Sequence, residues 1–116
     1  MTRDITFEEM LEDRREFQRN FFDPDRMTLA ERQDWLEKFI LHTMDQSTSL
    51  LNELDWKEHE KGEPVDHDAV MTQIVDIQNY VLAMCVVLNV DPVEFAEVFR
   101  ERSEEVNDRY ETENHG

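Results

Sequence analysis

The chain has 116 residues, 39% of them hydrophobic and 35% charged, and its 29 acids against 12 Lys and Arg give a net charge of −17. This composition suits one folded domain, and direct nucleic-acid binding is not expected because phosphate groups would be repelled. Segment 1–11 mixes basic and acidic residues, and no apolar run approaches the roughly 18 residues of a membrane-spanning helix. We therefore expect no secretory signal, no membrane contact and a cytoplasmic location.

Two capping boxes predict the first two helices. Thr6 and Glu9 have the three-residue spacing in which each side chain binds the other residue's backbone N–H, and they predict a helix to about residue 20. Thr28 and Glu31 repeat the spacing and predict a long helix to about residue 54.

Two more helices are predicted in the second half. Asp66 is placed to cap a helix that ends near residue 88, and Asp91 followed by Pro92 starts a fourth. Cys85 is the single cysteine and lies in the apolar run 81–88, which predicts a buried, unreactive thiol. A loop is predicted over 58–65. We expect one all-α domain over residues 1–112 and a frayed tail over 113–116.

The second and third predicted helices each carry two neighbouring rows of side chains at helical spacing. The apolar rows are Leu36, Ile40, Thr43, Ser47, Leu50 and Leu54, and Val70, Ile74, Ile77, Val81, Met84 and Leu88. The mixed rows are Trp35, Phe39, His42, Gln46, Ser49, Glu53 and Trp56, and Gln73, Asp76, Tyr80, Ala83 and Val87. A helix with two such rows must pack against other helices on two sides. One four-helix chain of this size provides too few helices for that, so we predict a homodimer or larger oligomer.

Each mixed row holds a pair of polar residues three positions apart: Gln46 and Ser49, and Gln73 and Asp76. We call these four positions the polar seam. If the helices pack antiparallel, the pairs meet across a shallow pocket that suits a flat ligand such as a nucleobase. Its predicted aromatic surroundings are Trp35, Phe39, Trp56 and Tyr80. The alternative is that the seam is only structural, with side chains that bind each other and set the helix register.

Three segments resemble the motifs of the dimeric all-α dUTPases and their MazG-like relatives. The stretch 46–59 is similar to a motif Glu-x-x-Glu-Leu that is followed by Trp-Lys, here Trp56 and Lys57. The stretch 73–82 is similar to a motif Glu-x-x-Asp with a later aromatic, here Tyr80. The stretch 100–110, with Asn107 and Arg109, is similar to the late Lys-x-x-x-Asn-x-x-Arg segment. The resemblance spans about residues 30 to 112 and implies a four-helix, oligomeric bundle.

The resemblance also implies a substrate site. In the family, four acids hold Mg²⁺, which activates water for release of a nucleoside monophosphate and pyrophosphate from a triphosphate. The corresponding residues here are those of the polar seam, where Asp76 is the only acid. Because Mg²⁺ requires anionic oxygen ligands, we expect poor metal binding. Trp56, Lys57, Tyr80, Asn107 and Arg109 would contact the substrate.

Three hypotheses follow. The first is a divergent family member that binds a nucleotide or a partner protein, with weak or no metal-dependent hydrolysis. The second is an active pyrophosphohydrolase with a relocated Mg²⁺ site at Asp76 and Glu53, with His42 or His59 nearby. The third is an acidic protein that mimics DNA or inhibits a basic partner, which would fit a phage setting.

Overall fold

The computed structural model describes residues 4–54 and 66–115, and the predicted all-α class is confirmed for them. These ranges hold four helices: α1 (Phe7–Gln18), α2 (Leu29–Glu53), α3 (His67–Val87) and α4 (Pro92–His115). Helix α4 ends at His115 and so extends beyond the predicted domain end at residue 112, into the predicted frayed tail. Gly116 and the predicted loop 58–65 lie outside the described residues.

The predicted helix starts are confirmed. The Thr6 hydroxyl accepts a hydrogen bond from the Glu9 N–H at 3.1 Å, and the Glu9 carboxylate accepts one from the Thr6 N–H at 3.3 Å. Thr28 and Glu31 form the same box, with both bonds 3.1 Å long. The Glu31 carboxylate accepts hydrogen bonds from the Thr28 N–H, which has the larger effect, and from the Thr28 hydroxyl. Both bonds stabilise the charged form and lower the pKa of Glu31. Asp66 caps α3 by accepting from the Ala69 N–H at 3.1 Å.

Helix α3 is the centre of the fold and packs on α2 and α1 with different faces. One core cluster joins it to α1 and contains Leu11, Leu82, Cys85 and Val86. The other joins it to α2 and contains Phe39, Ala83 and Val87. The segment 82–87 supplies both clusters because it is apolar almost all the way round, as a helix between two neighbours must be.

A hydrogen-bonded junction holds the end of α3 against the turn between α1 and α2. Arg32 donates to the carbonyl oxygens of Val87 and Pro24, the latter at 2.9 Å. Asn89 donates to the same Pro24 oxygen at 2.8 Å and accepts from Arg15 at 2.9 Å. Asn89 follows the end of α3 and has a φ of 52°, a left-handed conformation that asparagine tolerates better than most residues.

Helix α4 contacts the rest of the molecule mainly at its start. The ring of Phe95 stacks on Phe7 of α1, with centroids 4.5 Å apart. Within the described ranges, α1 is the one helix whose backbone α4 approaches closely. The radius of gyration is 17.8 Å, against about 13 Å for a compact chain of this length. Most of α4 therefore projects from the body formed by the other helices.

By length and composition alone, α3 is long and apolar enough to cross a membrane. Its segment 82–87 packs against α1 and α2, while 28% of the apolar window is buried. The cytoplasmic location stays a prediction.

Candidate functional site

Helices α2 and α3 are antiparallel. Three contacts show this. Arg32 contacts the carbonyl of Val87, Phe39 lies in one cluster with Ala83, and the His42 ring stacks on Tyr80. Residue numbers therefore increase along α2 in the direction in which they decrease along α3.

This register places the polar-seam positions of α2 and α3 at matching levels along the helix pair. One turn beyond His42 and Tyr80, Gln46 falls at the level of Asp76. One further turn along, Ser49 falls at the level of Gln73.

The seam contains a buried acceptor that none of the described residues satisfies. Gln46, Gln73 and Asp76 are half-buried, and Ser49 is exposed. The Oε1 atom of Gln73 is buried and has no hydrogen-bond partner among the described residues. An unpaired buried acceptor costs about 1–3 kcal/mol. This oxygen is therefore a candidate acceptor for a donor from outside the described residues.

An aromatic cluster leads along the helix pair to the seam. Trp35 lies 5.6 Å from Phe39, and Phe39 lies 6.4 Å from Tyr80, between ring centroids. The predicted grouping of Trp35, Phe39 and Tyr80 is thus confirmed. His42 extends the cluster by stacking on Tyr80 at 5.3 Å, with ring planes 12° apart. The hypothesis of a relocated metal site places His42 near the ion. Its position in one row with Phe39 and Gln46 instead favours this ring contact.

The described residues do not fit a Mg²⁺ site at the seam. Asp76 is the one carboxylate at the four positions. The register places Glu53 at the level of Ala69, about 10 Å along the helix axis from Asp76. Among the residues that the structure describes, no three His, Cys, Asp or Glu side chains are grouped in a way that could hold a metal ion. One carboxylate among neutral amides lacks the charge that Mg²⁺ requires.

The other predicted substrate contacts are not assembled at the seam. Asn107 and Arg109 lie on the projecting part of α4, whose backbone makes no close approach to α2 or α3 in the described ranges. Trp56, Lys57 and His59 lie outside the described residues. Of the predicted substrate contacts, Tyr80 is thus the one that the described part of the chain places beside the seam.

Cys85 is buried, as the sequence predicted, with 7% of its surface exposed. Burial raises the pKa of its thiol because the charged thiolate is poorly solvated there. It lies in the cluster between α3 and α1, on another side of α3 from the seam. The thiol is therefore a packing group and takes no part in the candidate site.

Comparison with known proteins finds no protein-family model, no curated protein and no solved structure that matches this chain. The described site is thus an antiparallel pair of helices with three uncharged polar groups, one carboxylate and an adjoining aromatic cluster.

Proposed function

We propose that the chain binds a nucleotide at the polar seam, as a divergent member of the all-α pyrophosphohydrolase group with little or no magnesium-dependent hydrolysis. The observation that carries the proposal is the buried, unpartnered Oε1 of Gln73 at a seam that adjoins aromatic rings. An N–H group of a base would satisfy this oxygen.

The charge pattern indicates which part of the nucleotide the seam recognises. Amide groups donate and accept hydrogen bonds in the way base edges require, and aromatic rings stack on bases. A carboxylate at Asp76 disfavours a phosphate beside it. The base or sugar therefore lies at the seam, and the phosphates extend away from Asp76.

Hydrolysis is disfavoured on electrostatic grounds. A magnesium-assisted reaction needs several carboxylates to hold the ion against the triphosphate. Gln46, Ser49 and Gln73 supply no charge at these positions. The active-enzyme alternative would need Glu53 to act with Asp76, and the separation of these residues along the helix pair weighs against it.

We also propose that the chain forms a homo-oligomer. The accessible surface is 9207 Å², roughly a third more than the ~6,700 Å² of a compact monomer of this mass. Leu36 and Met84, one from each apolar row, pack against the core cluster that contains Phe39. Farther along these rows, Ile40 and Ile74 are exposed. A second copy that covered them would complete the bundle that the family resemblance implies.

Removal of the unpartnered amide is expected to weaken nucleotide binding at least tenfold. Gln73→Leu keeps the approximate size of the side chain but removes the acceptor, so a base N–H would lose its hydrogen bond. The measurement is isothermal titration with a panel of deoxynucleotides and nucleosides, with and without Mg²⁺. The matched control is Gln33→Leu, which makes the same change at an exposed position of α2.

The unmodified chain is expected to bind at least one member of the panel with an affinity that Mg²⁺ leaves unchanged. Absence of binding across the panel would contradict the proposal. So would equal losses in the two variants, or rapid Mg²⁺-dependent release of pyrophosphate. Recovery of a basic nucleic-acid-binding protein from cell extract, lost at high salt, together with no nucleotide binding, would instead favour an acidic mimic.

Restoring the acids should create a Mg²⁺ site. The triple variant Gln46→Glu, Ser49→Glu and Gln73→Glu would place four carboxylates on two adjacent levels of the helix pair, and we expect it to bind Mg²⁺ at least tenfold more tightly than the unmodified chain. Titration calorimetry with Mg²⁺ alone measures this. A control that adds three acids elsewhere, Gln33→Glu, Thr48→Glu and Gln78→Glu, should show no such gain. If both variants bind equally, the seam positions have no special geometry.

A further inference from the structure

Helix α4 carries an apolar stripe whose side chains are largely exposed in the part of the chain that the structure describes. We define the α4 stripe by residues that recur every three or four positions along one face: Phe95, Phe99, Arg102, Val106, Arg109 and Tyr110. Phe95 is covered by Phe7, but Phe99 is 67% exposed, Val106 50% and Tyr110 65%. A stripe of this length on a projecting helix is typical of a protein contact.

The stripe is basic as well as apolar, in a chain whose net charge is −17. Arg102 and Arg109 lie between its apolar residues, and Arg102 forms an ion pair with Glu105 at the edge of the stripe. Most acids of α4 lie on the opposite face of the helix: Glu94, Glu97, Glu101, Glu104, Asp108 and Glu111. The partner surface should therefore be apolar with acidic edges.

A groove between α1 and α3 has this character. Its volume is about 530 Å³, and the α1/α3 groove is lined by Ile5, Glu9, Met10, Asp13, Val75, Gln78, Asn79 and Leu82. Ile5, Met10 and Val75 are exposed apolar residues, and Leu82 forms the buried floor. Glu9 and Asp13 lie one turn apart on α1 and place carboxylates along one edge.

We propose that the α4 stripe of one copy docks into the α1/α3 groove of a second copy, so that two chains exchange their fourth helices. The arrangement covers apolar residues with apolar residues and brings Arg102 and Arg109 toward the acids of α1, in a geometry that a twofold axis makes reciprocal. Pairing of two α4 stripes with each other would bring arginines together and is less favourable.

The reciprocal arrangement forms two copies of the contact, each made of one stripe and one groove. A stable dimer buries about 800 Å² per partner. The docked helix does not involve the polar seam, so the proposal stands or falls independently of nucleotide binding.

Disulfide formation between two separately purified chains tests the contact directly. Both chains carry Cys85→Ala, which removes the native thiol. One also carries Met10→Cys in the groove, and the other carries Phe99→Cys, Val106→Cys or Tyr110→Cys on the stripe. On mild oxidation we expect a disulfide-linked heterodimer in at least one of the three mixtures. The control partner, Glu104→Cys on the opposite face of α4, should form none. No linkage in any mixture, or equal linkage with the control, would overturn the proposal.

Charge reversal supplies a second test. Arg102→Glu with Arg109→Glu should raise the dimer dissociation constant at least tenfold in sedimentation equilibrium, because acids would then face Glu9 and Asp13. Arg19→Glu with Arg26→Glu changes the net charge equally at exposed positions away from α4 and should have a much smaller effect. If the two double variants weaken association equally, or if neither does, α4 is not the docking element.

Discussion

Replacement of Phe39 by alanine is expected to lower the free energy of unfolding by about 3–5 kcal/mol, the usual cost of emptying a large aromatic site in a core. Phe39 is 6% exposed and joins α2 to α3 by packing on Ala83 and Val87. Its ring also lies next to Trp35 and Tyr80, so the substitution removes the middle of the aromatic cluster.

Urea denaturation followed by circular dichroism at one protein concentration measures this loss. The matched control is Phe21→Ala, since Phe21 is 58% exposed and its ring contacts Phe17 at the surface. This control should cost less than about 1 kcal/mol. Equal losses in the two variants would show that Phe39 is not the anchor between α2 and α3.

Arg32→Met should destabilise the fold by about 2–4 kcal/mol, because the guanidinium makes two charge-assisted hydrogen bonds in a half-buried position. It donates to the Val87 carbonyl, one of the last-turn carbonyls of α3 that have no partner within the helix. Its positive charge also lies at the negative end of the α3 dipole. The same side chain donates to Pro24 and so ties α3 to the turn that precedes α2.

Thermal and urea unfolding of three variants separate this role from a general effect of charge. Arg32→Lys should recover only part of the loss, since an ammonium group cannot present two fixed N–H directions to two carbonyls. Arg26→Met is the control, because Arg26 is 87% exposed and pairs with Asp23 at the surface. Its effect should be below about 0.5 kcal/mol. Full rescue by lysine would contradict the forked geometry.

The helix starts could be predicted because their causes are local. Thr6 with Glu9, and Thr28 with Glu31, satisfy backbone N–H groups within four residues of themselves, so no distant contact is needed to place them. The aromatic cluster was predictable for a related reason, since Trp35, Phe39 and Tyr80 lie on the mixed rows of two successive predicted helices.

The junction at Arg32 left no local signal in the sequence. Arg32 acts on Val87, which lies 55 positions later in the chain, and the pattern of α2 marks it only as another charged residue. Asn89 had a weak signal, because an asparagine just after an apolar helix is a common residue for a left-handed helix end. The unpaired oxygen of Gln73 likewise depends on which groups α2 presents to it.

The all-α class, the four helix starts, the burial of Cys85 and the polar character of the seam could be predicted from local pattern. Each follows from interactions within a few turns of one helix, or from the side chains on one helix face. The level of Gln46 beside Asp76, the separation of Glu53 from that acid and the projection of α4 required the three-dimensional structure. These features depend on which helix faces pack against each other, and those faces belong to residues far apart in the chain.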